Sequence, residues 1–183
     1  MPKMTDEDHR NLIAKFKGMF LEDIKEALKP GRHNFSLLID NRTKNFAAGT
    51  LVRSFNIYSG KHIIMWQHKG YDRSSAVGAY STEDVMVARD TSHLKKRIRE
   101  LGIDRVIALE NNINKQTTYL HRYQFDPNLH YLTICGNEGG IDPELFEIVD
   151  DFVEIKQFGS CKSLNLAVAG STFMFEYCRQ TDP

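Results

Sequence analysis

The feature that most narrows the folds open to this chain is a repeated change of hydrophobic period. Short apolar runs read as strands at FSLLID (35–40), HIIMW (62–66), RVIALE (105–110), HYLTIC (130–135) and FVEI (152–155). Helical spacing lies between them. Leu12, Phe16, Met19, Phe20, Ile24 and Leu28 recur on one helical face until Lys29-Pro30-Gly31 stops the run. Thr5 followed by Asp8 resembles a capping box ahead of that helix. AAGTLVRSFNIYS (47–59) reads as a helix. A Gly- and Ser-rich loop leads to DVMVARD (84–90) and then to a helix opened by Thr91 or Ser92 and closed by Gly102. KQTTYLHRYQ (115–124) and DPELFEIVD (142–150) read as short helices, and SLNLAVAGSTFMFEYCRQ (163–180) as the closing one. This alternation predicts an α/β fold, a mainly parallel sheet flanked by helices on both faces.

A length of 183 residues with 41% apolar content suits one domain with a sizeable core. No apolar run approaches the roughly eighteen residues of a membrane span, and the acidic start MPKMTDEDHRNL is unlike a secretory signal. Cys135, Cys161 and Cys178 are odd in number and far apart, which points to reduced thiols in a cytoplasmic compartment. The seven histidines show no metal-ligand spacing, so no metal is expected. Net charge is zero, with 24 basic and 24 acidic residues, a mild argument against nucleic-acid binding. Local basic clusters remain: Lys95, Lys96, Arg97 and Arg99 in SHLKKRIREL, and Lys69 and Arg73 in QHKGYDR.

Two small-residue turns, GNEGG (136–140) and GSCKS (159–163), each follow a strand-like run. In parallel sheets, ligands gather outside the carboxyl ends of strands, so both turns are expected to line one site. GSCKS is not a Walker A loop, because Cys161 stands where glycine must precede the lysine. G-x-G-x-x-G after the first strand and G-x-S-x-G are both missing. The local motifs therefore define an α/β ligand-binding domain and no more.

GNEGGI (136–141), IKQFGSCKSLNLAVA (155–169) and, earlier, GTLVRSF (49–55) resemble, in order and spacing, the three motifs of the SpoU/TrmH-type RNA ribose methyltransferases of the SPOUT superfamily. The similarity runs from about Phe35 to Arg179. It implies a single methyltransferase domain over 1–183, with 1–31 as an N-terminal helical extension and a trefoil knot over about 130–180. It also implies a homodimer that uses S-adenosyl-L-methionine to methylate the 2′-hydroxyl of a ribose in structured RNA. No appended RNA-binding domain is expected, which favours tRNA over rRNA as substrate. A catalytically silent RNA-binding relative and a small-molecule nucleotide binder are the competing readings.

The resemblance places the cofactor among Ile134, Cys135, Gly136, Asn137, Gly140, Ile155, Gln157, Gly159, Ser163, Leu164 and Asn165. The resemblance implies that Arg53, Glu138, Ser163 and Asn165 carry the chemistry. A guanidinium stays protonated, so Arg53 is expected to stabilise the developing alkoxide rather than to take its proton. Glu138 is expected to order Arg53 or the ribose. Ser163 and Asn165 open the last helix, where side chains also cap orphan amides, but Asn165 lies two positions inside, where a cap is less natural. The chain departs from the family at Ala47, where asparagine is common (Asn45 is two positions off), and at Lys156-Gln157, which replace Pro-Met. Pairing two copies is expected to join the Lys95 to Arg99 cluster with the surface around Arg73.

Overall fold

The structure is a computed structural model that describes residues 8–40, 46–68, 70–111 and 113–182. Its strands are β1 (Phe35–Asp40), β2 (Ile63–Trp66), β3 (Val85–Ala88), β4 (Arg105–Leu109), β5 (Thr118–Tyr119), β6 (Tyr131–Cys135) and β7 (Asp151–Glu154). They form one seven-stranded sheet in the order β3-β2-β1-β6-β4-β7-β5. Every pairing is parallel, with Leu37 beside Ile63 on one side and beside Thr133 on the other. The helices are α1 (Leu21–Leu28), α2 (Phe46–Ile57), α3 (Arg73–Ala76), α4 (Ala79–Thr82), α5 (Thr91–Glu100) and α6 (Leu166–Thr181).

Both faces of the sheet are covered, which is why β1 and β6 are apolar along almost their whole length. On one face Phe35, Leu37 and Ile39 pack with Leu51, Phe55, Phe173 and Tyr177 of α2 and α6. On the other, Leu38, Ile64, Leu132 and Ile134 pack with Leu94 of α5 and Leu145. Burial of each such side chain contributes about 1.5–3 kcal/mol. Helix α2 lies close against α3 because position 49 is glycine: a Cβ there would sit 2.1 Å from Ser75 Oγ and 2.2 Å from the Asp72 carbonyl oxygen. Ser54 and Ser171 tie α2 to α6 through a 2.8 Å hydroxyl pair.

Several local expectations are corrected. The first helical run is split into a 3-10 turn at Ala14–Phe16 and α1, because Gly18 adopts φ 74° and its amide donates to Asp8 Oδ2 at 2.9 Å. Thr5 lies outside the described residues, and Asp8 is engaged by Arg10 and Gly18 rather than by a capping box. KQTTYLHRYQ is the edge strand β5 and a 3-10 turn, Leu120–Arg122, because Tyr119 and the β-branched Thr118 pair with β7. DPELFEIVD is a 3-10 helix at Pro143–Ile148 capped by Asp142. Asp90, not Thr91 or Ser92, caps α5, its carboxylate accepting from the His93 amide at 2.7 Å. The Gly- and Ser-rich loop contains α3 and α4. The basic run on α5 is largely neutralised: Lys95 pairs with Glu147 at 2.9 Å, and Lys96 and Arg97 with Glu100 at 3.7 and 3.2 Å. Lys69 lies outside the described residues, and Arg73 sits over the Tyr80 ring.

At the amino end of the sheet, His62 and His130 face each other with ring centres 5.8 Å apart, and His130 Nε2 lies 2.8 Å from Ser36 Oγ. Burial, then the neighbouring His130, Lys61 and Arg32, lowers the His62 pKa from 6.5 to about 4. Burial lowers that of His130 as well. The folded state therefore binds these protons less readily than the unfolded chain does. Their contribution is complete above about pH 6.5 and is lost as pH falls towards 4. Glu83, raised by burial beside Arg32, acts with the opposite sign, so the difference between variants isolates the histidine. Urea midpoints at about pH 7.5 and 5 should fall less for His62→Gln than for the parent. Equal falls would remove His62 from the acid sensitivity.

Candidate functional site

Strand β6 occupies the centre of the sheet, between β1 and β4, although β4 precedes it in the chain. Such a reversal in strand order opens a crevice at the carboxyl ends, where a parallel sheet presents ligand sites. The turn after β6 is held in a fixed shape. The Gly140 amide donates to the Asn137 carbonyl at 3.0 Å, and the Gly139 amide to Asn137 Oδ1 at 2.7 Å. Gly140 has φ 86°, a conformation that disfavours a side chain. Asn137 Nδ2 reaches Asp40 Oδ1 at the end of β1, 3.3 Å away.

The second wall is the extended stretch between β7 and α6. It alternates: Ile155 and Gln157 turn into the crevice, whereas Lys156 and Phe158 turn away from it, with Lys156 over the Tyr119 and Phe158 rings. Gln157 Nε2 donates to the Lys162 carbonyl at 2.9 Å, and Asn111 Nδ2 donates to the same oxygen at 3.0 Å. Helix α6 begins at Leu166, three residues later than its expected start. Asn165 is its N-cap, with Oδ1 accepting from the Ala167 amide at 2.9 Å. The expectation that Asn165 lies inside the helix is thus corrected. The helix starts where Leu166 first reaches the core, and Ser163 lies in the preceding loop.

Between the two walls is a cavity of about 550 Å³. Of the residues expected at the site, Cys135, Gly136, Asn137, Glu138, Gly140, Ile155, Gln157, Ser163, Leu164 and Asn165 line it. Ile134 does not, because strand alternation turns it into the opposite core face with Leu132. Gly159 and Arg53 are also off the lining. Arg53 is exposed on α2, and its side chain makes no hydrogen bond or ion pair among the described residues; the same holds for the Glu138 side chain. Ala47 is buried in the α2 core, and Asn45 lies outside the described residues.

Sequence reasoning missed Glu110 and Asn111, which both line the cavity from the end of β4. Glu110 Oε2 accepts from the Ile141 amide at 2.8 Å and Oε1 from the Asn111 amide at 3.0 Å. Adjacent residues at one strand end thus fasten both walls, Glu110 the 136–141 turn and Asn111 the loop at Lys162. Both stand at a strand's carboxyl end, but their partners lie 31 and 51 positions away, so the local sequence carried no signal for them. Removing the carboxylate leaves the Ile141 amide without an acceptor, a cost of about 1–3 kcal/mol. Glu110→Ala should therefore speed hydrogen exchange at the Ile141 amide by roughly tenfold or more. Glu110→Gln, which keeps one acceptor oxygen, should fall between. Unchanged exchange in the alanine variant would mean that Glu110 does not hold the turn.

Burial, with the Glu110 charge nearby, pushes the Cys135 thiol up to about 12. It is protonated at neutral pH and is no nucleophile. Among the described residues no group of three or more His, Cys, Asp or Glu side chains could hold a metal ion. No helix of the described residues is long and apolar enough to cross a membrane.

A parallel α/β sheet with two loops walling a crevice at its central strand ends defines a ligand-binding protein. Residues 34–175 match the SpoU rRNA Methylase family, and the chain belongs to that family. It is 22% identical over 191 aligned positions to the putative TrmH family tRNA/rRNA methyltransferase YacO of Bacillus subtilis, covering 100% of this chain and 75% of that protein. The A. aeolicus TrmH/SpoU tRNA modifying enzyme superposes with a TM-score of 0.73 at 19% identity, over 87% of this chain and 81% of its own. The SpoU methyltransferase AviRb from Streptomyces viridochromogenes, solved in complex with the cofactor AdoMet, superposes with a TM-score of 0.68 at 21% identity, over 81% and 61%.

Proposed function

We propose that this protein transfers a methyl group from S-adenosylmethionine to the 2′-hydroxyl of a ribose in structured RNA, tRNA in preference to rRNA. The observation that carries this reading is the convergence of the 136–140 turn and Ser163 to Asn165 on one cavity at the centre of the sheet. Its volume lies in the small-molecule range of roughly 300–1,000 Å³. Leu109, Ile155, Leu164 and Leu166 offer apolar surface suited to a purine, and Glu110, Asn137 and Gln157 offer polar groups suited to a ribose and an amino-acid end. AviRb, of like fold, is solved with this cofactor. The tRNA preference draws on the A. aeolicus tRNA modifying enzyme.

The cofactor supplies an electrophilic methyl group on sulfur. The protein's own residues then have to orient the ribose, stabilise the oxygen as its proton leaves, and exclude water. Arg53 stabilises that oxygen. Its permanent charge offsets the developing alkoxide but cannot accept a proton, so the proton passes to water or to the nucleotide's own phosphate. Glu138, exposed at the cavity mouth, orders Arg53 or the ribose. Ser163 and Asn165 fix the approach from the other wall.

The working form is a homodimer. Phe46, Thr50, Arg53 and Ile57 form one outward stripe of α2, with Phe46 61% and Ile57 70% exposed, and Val168 and Phe175 of α6 lie bare beside it. A second copy seated on this surface covers those side chains and brings Arg53 of one copy towards the cavity of the other. The chain acts as one methyltransferase unit with residues 1–31 as an extension. Its segment over about 130–180 is threaded as a trefoil knot; β6 entering between β1 and β4 and the 155–165 stretch returning over β4 support this. The three free thiols suit a reducing, cytoplasmic compartment.

Calorimetry with S-adenosylmethionine, followed by transfer of labelled methyl to bulk tRNA and rRNA, tests the proposal. Label in alkali-resistant dinucleotides is expected, because a methylated 2′-oxygen cannot attack the adjacent phosphodiester. Label in mononucleotides would place the methyl on a base instead. Cofactor binding without transfer would identify a silent relative, and no cofactor binding would overturn the reading.

A further inference from the structure

We propose that the cluster formed by Phe158, Lys156, Tyr119 and Arg122 is a stacking platform for an unpaired nucleobase of the RNA substrate, with Lys156 and Arg122 contacting its flanking phosphates. The inference rests on the RNA reading above and names the surface that would take that substrate.

Phe158 is 87% exposed, the barest large apolar side chain among the described residues. The alternation after β7 sets it there. Ile155 and Gln157 line the cavity, so Lys156 and Phe158 present themselves on the reverse of the same wall. Lys156 Nζ lies 5.2 Å from the Phe158 ring centre and 5.3 Å from that of Tyr119, bridging both rings with one ammonium. The Arg122 guanidinium lies 5.9 Å from the Tyr119 ring, and His121 stacks on the same ring with centres 5.6 Å apart and planes 9° from parallel. Lys156 and Arg122 form no ion pair among the described residues, in contrast to the neutralised lysines of α5. Glu176, whose charge reaches His121, is engaged by Arg179 at 2.7 Å. Glu154 stands opposite Tyr119 in the strand register, so phosphate contact is assigned to the Arg122 and Lys156 side.

The chemistry selects the occupant. Free cations beside bare rings are the combination that binds single-stranded nucleic acid: the cations track phosphates, and a base stacks on any open aromatic face. Tyr119 is already covered by His121 and Lys156, so Phe158 provides the open face. A double helix offers no free base face, and the platform therefore selects a loop or an unpaired end. Gln157 lies between Lys156 and Phe158 and faces the cavity, so a base held on this side is one residue removed from the cofactor wall.

The test uses the full chain and a twelve-nucleotide single-stranded RNA carrying one central 2-aminopurine, free or annealed to its complement. The parent is expected to bind the single strand more tightly and to quench its fluorescence. Phe158→Ala should weaken binding by about tenfold or more and abolish the quench. Phe158→Trp should restore both. Lys156→Ala and Arg122→Ala should each keep the quench and lower the slope of log affinity against log salt by about 0.7. Calorimetric affinity for S-adenosylmethionine should be the same in all variants. Unchanged RNA binding and quenching in Phe158→Ala would overturn the inference. So would loss of cofactor binding, which assigns the ring to the cofactor site, or a drop in sedimentation mass, which assigns it to self-association. A parent that binds cofactor and RNA leaves the proposed function standing whatever Phe158 does; a parent that binds neither overturns both.

Discussion

Arg53→Ala lowers methyl transfer by about a hundredfold or more while the affinity for S-adenosylmethionine stays at the parent value. That is the scale for losing one positioned donor at a developing charge. The cofactor half of the expectation rests on geometry: Arg53 is outside the cavity lining and exposed on α2, so its truncation disturbs neither cavity wall. Arg53→Lys should recover only part of the rate, because an ammonium keeps the charge but not the planar fork. Glu138→Ala should act in the same direction, and the double variant should lose less than the product of the singles if Glu138 works through Arg53. Mixing decides which copy supplies the arginine. Arg53→Ala combined with a cavity variant, Leu164→Arg, should regain about a quarter of the parent rate, since half of the randomly paired dimers then hold one intact site. No recovery would place the arginine at the cavity of its own copy. Parent-level transfer by Arg53→Ala would remove it from the chemistry.

Phe175→Asp is expected to separate the proposed homodimer and to stop transfer together. Phe175 is 54% exposed on α6, beside Val168 and the shallow hollow that Thr50, Tyr58, Ser171 and Thr172 also form. A carboxylate there is tolerated in a free chain, so the melting temperature of the monomer should barely move. In the proposed buried contact between two copies the same charge has no partner, and a two-fold arrangement would place it in the interface twice. Dissociation constants should rise by at least a hundredfold, read by sedimentation at micromolar protein. Cofactor affinity should persist because the cavity lies within one chain. A dimer unaffected by Phe175→Asp would move the interface elsewhere.

The two cavity walls differ in how far they were legible. Gly136 to Gly140 follow the buried apolar run of β6, and the stretch leading to Ser163–Asn165 follows the strand-like FVEI at β7, so both turns are legible from the run that precedes them. Glu110 was hidden because its partner is the Ile141 amide, 31 positions away, and nothing in the local pattern of RVIALE marks it. Asn111 was hidden for the same reason, its partner being the Lys162 carbonyl 51 positions on. The Lys156-Gln157 departure became interpretable once the alternation was seen: one residue faces the cavity and the other a ring cluster.

By itself, then, the sequence determined the elements whose signal is local. Continuous apolar runs such as Leu37 to Ile39 cannot avoid burial on both faces, and the parallel α/β arrangement follows from their alternation with helical segments. Only the tertiary structure decided where marginal segments went. Within residues 115–124, Thr118 and Tyr119 became an edge strand because β7 offered unpaired backbone groups, and α6 began at Leu166 because that is where a side chain first meets the core. It likewise decided that Arg53 faces outward and that Glu110 and Asn111 hold the two walls together. Contacts between residues dozens of positions apart form only after the sheet has brought strand ends side by side, so no short stretch of sequence carries their signature.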